Sequence, residues 1–331
     1  MKLRHGILAA VAAATIAAAP VAQAETFKFA FQGNLSSLDP HSLNETFLLG
    51  TLGNIYEGLS IYDANLAAVP GLAESWETVT PTKWKFNLRK GVKFHNGNDF
   101  TAADVVFSWQ RALSEGSDQK VRASKIKNIE VIDDHTIIVE TPAPNPILTS
   151  DLVYIYIMDK EWSVANKTEG ATSASADTTG NYANLHSNGT GPFEVVAHKA
   201  DVKTTFNRNT SYWGKIKSNV TKVEFNPIKE AATRVAALIS GELDLVFPVP
   251  PQDWKRLDAA EGVRPLAGPE ARTIFLGMDQ GRDELLHSNI KGKNPFKDIK
   301  VRQAFAHALN LDAIKKKVMR NAATPSGLMV A

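Results

Sequence analysis

Hydrophobic and polar residues alternate over several short stretches of the chain, which is the pattern of half-buried β-strands. The first stretch covers residues 27–31 (Phe-Lys-Phe-Ala-Phe). In the second, residues 84–89, the side chains of Trp84, Phe86 and Leu88 share one face. Residues 129–131 and 136–139 flank an Asp-Asp-His sequence, so they predict a β-hairpin.

Other stretches space their apolar residues by three and four, as amphipathic helices do. Thr101 is predicted to cap such a helix, with Asp104 three residues later as a variant of the capping box. The apolar stripe of this helix consists of Ala102, Val105, Val106, Trp109 and Leu113.

The second half of the chain also mixes helices and strands. A helix that begins near Ala231 is predicted to end at Gly241 and to be followed by a strand over residues 243–246. Asp298 is predicted to cap a further helix, and another is expected around residues 312–320. Residues 170–189 are polar and predict a loop. This alternation predicts an α/β fold with a more α+β insertion.

The first 24 residues predict export. A basic start is followed by an uncharged, alanine-rich apolar run and by Ala22-Gln23-Ala24, the small-x-small pattern of a signal-peptidase site. The apolar run is too short for a membrane span and is broken by Pro20. We therefore expect a cleaved signal peptide over residues 1–24, a mature chain that begins at Glu25, and a periplasmic location.

Composition argues against several classes of function. The chain has no cysteine, so disulfides and thiolate chemistry are excluded. Loss of Lys2 and Arg4 with the signal peptide leaves 35 Lys and Arg against 35 Asp and Glu, and a balanced charge gives no general attraction to nucleic acid. After the signal peptide, no second apolar stretch is long enough to span a membrane.

No motif predicts catalysis, a cofactor or a metal site. The eight histidines are scattered without metal-ligand spacing, and neither a phosphate-binding loop nor a nucleophile elbow is present. Residues 189–192 (Gly-Thr-Gly-Pro) predict a turn into a strand over 193–196. Asp39 and the Asp133-Asp134 pair are interpreted as isolated turn acids.

Longer motifs lie, in order, at residues 38–40 (Leu-Asp-Pro), 54–59, 70–76, 84–97, 100–108, 190–193, 209–214 (which includes Tyr-Trp-Gly at 212–214), 234–246 and 298–305. In this order they resemble the extracellular solute-binding proteins of family 5, the dipeptide- and oligopeptide-binding proteins of ABC importers. The resemblance extends from about Phe27 to the end of the chain. Each of these motifs also has a plain structural interpretation, as part of a strand, turn or capped helix.

The resemblance implies a two-lobe periplasmic binding-protein fold of type II with an extra inserted domain. Carried over to this chain, it assigns residues 25–59 and 188–269 to lobe one and residues 60–187 to the inserted domain. Residues 270–331 would begin lobe two. Because family members are usually longer, the C-terminal part of the fold is expected to be missing.

The resemblance also implies a ligand site. Family members bind extended peptides by main-chain hydrogen bonds, and the lobe-one contacts correspond to Asn44, Glu45, Thr46 and Phe47. The charged ends of the ligand are expected to meet lobe two, beyond residue 331. An ordinary helix start with Asn44 as its cap is the alternative interpretation of this segment.

The function predicted is that of a periplasmic protein that binds a peptide or similar small solute and delivers it to an inner-membrane ABC permease. We expect a monomer that is not an enzyme and uses no cofactor. A secreted hydrolase on the same scaffold, or a ligand-binding partner of a chemoreceptor, is the alternative, since a scaffold does not fix a function.

Overall fold

The structure is a computed structural model that describes residues 25–174, 181–268 and 272–327. The predicted signal peptide, residues 175–180 of the predicted loop and the last four residues lie outside the described ranges. The chain divides into two compact units. Among the described residues, one unit contains residues 25–29 and 33–227, and the other contains residues 30–32 and 228–327.

The first unit contains most of the strands. They are β1 (Glu25–Phe31, whose last two residues belong to the second unit), β2 (Ser60–Tyr62), β3 (Ala68–Pro70), β4 (Ala73–Thr80), β5 (Lys83–Leu88), β6 (Asn128–Asp133), β7 (Thr136–Glu140), β8 (Phe193–Lys199), β9 (Lys203–Arg208) and β10 (Val220–Pro227).

The helices of the first unit are short, except for the second. They are α1 (Thr46–Leu52), α2 (Ala102–Ala112), α3 (Lys120–Ala123), α4 (Leu148–Leu152), α5 (Lys160–Ala165) and α6 (Tyr182–Leu185). Helix α6 lies inside the stretch that the sequence predicts as loop, where Asn181 caps it by accepting from the backbone N–H of Ala183.

The strands of the first unit form separate sheets. Four pair in the order β4-β5-β7-β6, and every neighbouring pair in this sheet is antiparallel. Strands β2 and β3 pair with each other. In a further sheet β1, β10, β9 and β8 lie side by side in that order.

The alternating stretches form the strands that their patterns predict. In the β5–β7 pair, Phe86 lies opposite Ile137 and Trp84 opposite Val139. Phe86, Ile137 and Val139 are buried in one hydrophobic cluster, and Trp84 packs against it. The predicted hairpin is β6–β7.

Helix α2 begins at the predicted cap. The side chain of Thr101 accepts from the N–H of Ala103, and Asp104 Oδ2 accepts from the N–H of Thr101 at 2.9 Å. Ala102 and Val105 are buried in the cluster beneath the four-stranded sheet, and the remaining residues of the predicted apolar stripe pack against it. The capping box and the stripe are both confirmed.

The second unit contains α7 (Ala231–Ile239), β11 (Leu245–Phe247), α8 (Trp254–Asp258), α9 (Ile299–Ala308) and α10 (Leu311–Ala313). Two predicted helix boundaries are confirmed: Gly241 has the left-handed φ of +76° after α7, and Asp298 caps α9. The predicted strand starts two residues late, because Leu243 is buried against the end of α7 before the extended segment begins.

The last predicted helix is shorter than expected. Helix α10 continues as one π-helical segment, Ile314–Val318, and ends there. Within the described ranges, no helix is both long and apolar enough to cross a lipid bilayer.

Candidate functional site

Residues 44–47, the predicted ligand segment, lie at the start of helix α1. Glu45 has an extended backbone (φ −128°, ψ 135°) and is the N-cap of the helix. Its two carboxylate oxygens accept from the N–H groups of Phe47 at 2.9 Å and Leu48 at 2.8 Å. The interpretation that Asn44 is the cap is therefore wrong by one residue, because the longer side chain of Glu45 reaches both amides.

Most of this segment is at the surface. Asn44, Glu45 and Thr46 are exposed, and Phe47 is half-buried with its ring centroid 5.3 Å from that of Phe225 in β10. The Oδ1 atom of Asn44 accepts from Arg122 at 2.9 Å. The sequence does not predict this contact, since the two residues are 78 positions apart.

An ion pair lies just before the segment, in the core of the first unit. Asp39 and Arg111 are both fully buried, and Arg111 donates to the two carboxylate oxygens at 2.7 and 2.6 Å. The guanidinium lowers the pKa of Asp39 against the opposing effect of burial, which is the largest single influence on it. Asp39 is therefore not the isolated turn acid that the sequence predicts.

Arg111 belongs to a second, polar stripe of α2. Asp104, Ser108 and Arg111 follow one another at helical spacing, and all three are buried. Asp104 accepts from the N–H of Lys160, and Ser108 accepts from the N–H of Met158. Polar residues at this spacing predict a solvated face, so the sequence pattern misleads here. No local signal in the sequence marks this stripe as buried.

His41 completes the buried cluster. Its Nε2 lies 3.0 Å from the carbonyl oxygen of Tyr156, and its Nδ1 lies 3.2 Å from Arg111 Nη1. With Arg111 donating to Nδ1, the ring is neutral and carries its proton on Nε2. Burial, followed by the charge of Arg111, lowers the pKa of His41 to about 4.

Asp39, Glu57 and Asp159 are buried carboxylates that each accept several hydrogen bonds from the protein, and we call them the buried nodes. Glu57 is the second of these. Its carboxylate accepts from Thr190 Oγ1 at 2.8 Å, from the hydroxyl of Tyr212 at 2.9 Å and from Trp213 Nε1 at 2.8 Å. Burial raises the pKa of Glu57, and these donors act in the opposite direction. Three of the family-like motifs, at residues 54–59, 190–193 and 212–214, therefore meet at one carboxylate.

Asp159 forms a third node. Its Oδ2 accepts from the side-chain amides of Asn96, Asn98 and Asn188 at 2.8–2.9 Å. Its Oδ1 accepts from the N–H of Trp162 and caps α5. Asn96, in the motif at residues 84–97, thus bonds Asp159 through its side chain and donates its backbone N–H to Asn188 Oδ1 in the loop before β8.

The glycines at 189 and 191 allow two backbone segments to cross. A Cβ atom on Gly189 would lie 2.0 Å from the carbonyl oxygen of Ile55, and one on Gly191 would lie 2.6 Å from that of Asn54. Gly191 instead donates its N–H to Ile55 O at 2.8 Å. The predicted turn is confirmed, and its glycines serve this close approach.

These nodes and the predicted ligand segment differ in what they can do. The buried carboxylates of Asp39, Glu57 and Asp159 each accept at least three hydrogen bonds from protein donors, so they hold backbone segments in place. The predicted ligand segment is exposed and can meet a solute. No group of three or more His, Cys, Asp or Glu in the described ranges could hold a metal ion.

Breaking the Asp39–Arg111 pair should strongly destabilise the protein. Arg111→Met leaves a buried carboxylate without its counter-charge, and such losses cost about 3–5 kcal/mol. Asp39→Asn with Arg111→Met should cost less than the sum of the two single changes, because no buried charge remains. Urea denaturation of the single and double variants measures this coupling.

An exposed ion pair provides the control. Lys125 lies 2.6 Å from Asp151 but is 43% exposed, so Lys125→Met should change the free energy of unfolding by less than about 1 kcal/mol. Equal losses for Lys125→Met and Arg111→Met, or strictly additive effects at positions 39 and 111, would contradict the central role of the buried pair.

Stability should fall as the pH is lowered from about 6.5 to about 4, in part because of His41. The pKa of His41 is about 4 in the native protein, against 6.5 for an unperturbed histidine. In this window the unfolded chain therefore binds a proton that the native state excludes. The slope is at most about 1.4 kcal/mol per pH unit for one group.

His41→Gln should make the pH dependence shallower than in the wild type, even if it lowers stability at pH 7. Burial also lowers the pKa values of His95 and His198, so the informative quantity is the difference between the two curves. The guanidinium of Arg111 holds the pKa of Asp39 below its ordinary value, so measurements above pH 4.5 keep the titration of Asp39 out of the comparison. Parallel curves would show that His41 does not contribute.

Known proteins resemble this chain over nearly all of its length. The glutathione-binding protein GsiB of Pectobacterium atrosepticum is 27% identical over 327 residues, which cover 98% of this chain and 59% of the relative. The periplasmic oligopeptide-binding protein OppA of Haemophilus influenzae is 27% identical over 312 residues, 88% of this chain and 54% of the relative. The chain thus spans less than two thirds of the length of these relatives.

The fold is shared with solved binding proteins. The structure of the solute-binding protein MoaA of A. tumefaciens R10, in complex with mannopinic acid, has a TM-score of 0.73 and 28% identity. The match covers 90% of this chain and 58% of that one. The predicted α/β periplasmic binding-protein fold is confirmed, while the lobe boundaries stay predictions.

The family model supports the same assignment. The model of the middle region of the bacterial extracellular solute-binding proteins, family 5, matches residues 67–331. This range contains most of the motifs on which the predicted resemblance rests, and it covers well over half of the chain. The chain therefore belongs to the bacterial extracellular solute-binding proteins of family 5.

Proposed function

We propose that this chain is the solute-binding component of an ABC importer. It works as a monomer in the periplasm, binds a peptide or similar small solute and delivers it to the inner-membrane permease. It acts by binding and not by catalysis. The observation that carries this proposal is the family match over residues 67–331.

The relatives support the class of solute. GsiB and OppA are named for binding glutathione and oligopeptides. MoaA is solved with mannopinic acid, so a similar fold also binds a small molecule that is not named as a peptide. A peptide or a small solute of similar size is therefore the ligand we propose.

The lobe boundaries form part of this proposal. Lobe one comprises residues 25–59 and 188–269, the inserted domain residues 60–187, and lobe two begins near residue 270. In support, strands β2–β7 and helices α2–α5 all lie between residues 60 and 187. Strands β8, β9 and β10 follow within residues 188–269.

We place the lobe-one contacts of the ligand at Asn44, Glu45, Thr46 and Phe47. Three of these residues are exposed, and the extended backbone of Glu45 suits an extended ligand. The N–H groups of Phe47 and Leu48 are already bonded to Glu45. The main-chain donor that we assign to the ligand is therefore the N–H of Thr46.

Export and solute binding can be tested together. Expressed in a Gram-negative host, the protein should be recovered from the periplasm with Glu25 as its first residue. Mass spectrometry of the complete protein purified from the periplasm should detect a co-purified peptide or small solute. A cytoplasmic protein that retains Met1 would contradict export, and turnover of the bound solute would favour the hydrolase alternative.

Thr46→Pro should weaken solute binding without unfolding the protein. Thr46 is the first residue of α1, where proline is well tolerated, and the extended Glu45 meets the restriction on a residue before proline. Loss of one main-chain hydrogen bond to the ligand costs about 0.5–1.5 kcal/mol and lowers affinity about 2- to 13-fold. Calorimetry with the solute identified by mass spectrometry measures the change.

Thr46→Ala is the matched control, because it removes the side chain and retains the amide donor. It should bind as the wild type does, and both variants should keep the melting temperature within a few degrees. If Thr46→Pro binds as tightly as Thr46→Ala, the Thr46 amide does not contact the solute.

A further inference from the structure

Arg122 is held in position by its neighbours, but most of its donors are unused. Its Nη1 donates to Asn44 Oδ1 at 2.9 Å and to Gln119 Oε1 at 2.6 Å. Its guanidinium carbon lies 5.1 Å from the centre of the Tyr154 ring. Within the described ranges, no residue accepts from Nε or Nη2, and no acidic side chain pairs with Arg122. Two of its five donors are therefore satisfied.

Arg111, in the same unit, shows the difference between a structural arginine and this one. All five of its donors have partners: Asp39 receives two, and the carbonyls of Thr168 and Gly170 and the ring of His41 receive the others. Arg111 is also fully buried, whereas Arg122 is partly exposed. Arg122 thus keeps its charge and a planar pair of donors available at the surface.

Asn44 adds to this donor surface. Its only side-chain acceptor, Oδ1, is occupied by Arg122. The amide nitrogen keeps two N–H groups, which no residue in the described part of the chain accepts. Asn44 and Arg122 together therefore present donors and a positive charge, which suit a carboxylate and not a cationic or purely apolar group.

We propose that Arg122, together with the amide of Asn44, binds a carboxylate of the solute. This rests on the proposed function, in which Asn44 lies at the ligand site. It departs from the expectation that the charged ends of the ligand meet lobe two, because it assigns one carboxylate to Arg122, and it narrows the solute class to peptides or small molecules with an acidic group. The ring of Tyr154 and the side chain of Gln119 position the guanidinium so that it is oriented before the solute arrives.

Isothermal titration calorimetry tests this inference. The complete protein is titrated with tri-alanine and, separately, with tri-alanine amide. The two probes differ only in the C-terminal carboxylate. The wild type should bind the acid more tightly than the amide. Arg122→Gln should lower affinity for the acid about 10- to 150-fold and leave affinity for the amide unchanged.

Two further variants separate this role from general effects. Lys120→Gln removes an exposed positive charge from the same helix and should not change the preference for the acid. Arg122→Lys keeps the positive charge but lacks the planar set of guanidinium donors, so it should retain part of the preference for the acid. Melting temperatures of all variants show whether Arg122→Gln merely unfolds the helix.

The outcomes distinguish this inference from the proposed function. A wild type that binds both probes equally, or an Arg122→Gln variant that loses both equally, overturns the carboxylate contact and leaves solute binding intact. A wild type that binds neither probe and carries no co-purified solute overturns the proposed function, and the inference falls with it.

Discussion

The buried ion pair between Asp39 and Arg111 constrains the path of the chain into the candidate site. A carboxylate with no solvent exposure is tolerated only when a counter-charge and hydrogen-bond donors replace its water. Arg111 supplies both, and its position on α2 fixes where residues 37–42 must lie. The predicted ligand segment begins two residues after this stretch, so its position depends on a contact that it does not itself make.

The other buried nodes extend the same principle through the first unit. Glu57 and Asp159 each gather donors from chain segments that are distant in sequence, and the glycines at 189 and 191 allow the backbones to approach closely. These contacts cost desolvation, and burial raises the pKa of Glu57 for that reason. In return, they select one arrangement of the chain segments, because each carboxylate is fully hydrogen-bonded in only one arrangement of its donors.

The sequence predicts local structure well where the apolar residues follow a single spacing, either that of a strand or that of a helix. Strand β5, the β6–β7 hairpin and helix α2 follow from alternation, turn residues and a capping box, because these signals lie within a few residues of one another. The family is also predicted, because its motifs occur together in order. The start of strand β11 is predicted less well, because burial of Leu243 against α7 overrides the local strand pattern.

The nodes could not be predicted in the same way. Asp39 and Arg111 are 72 positions apart, and neither carries a local sign of burial. The stripe of Asp104, Ser108 and Arg111 has the spacing of a solvated helix face, but in the structure it faces other parts of the first unit. The motifs at residues 38–40, 54–59 and 212–214 therefore mark places where the fold needs a buried polar contact.

Arg111 and Arg122, both in the first unit, show how an arginine whose donors all have protein partners differs from one that can bind a solute. Every N–H of Arg111 has a protein acceptor, so this side chain has nothing left to offer a solute. Arg122 is fixed by two acceptors and an aromatic ring, and its remaining donors lie beside Asn44, whose acceptor is already occupied. Fixing an unpaired cation in one orientation costs free energy that no acidic side chain of the described residues offsets. A carboxylate brought by the solute would offset this cost, and it would do so next to the segment that the family resemblance assigns to ligand binding.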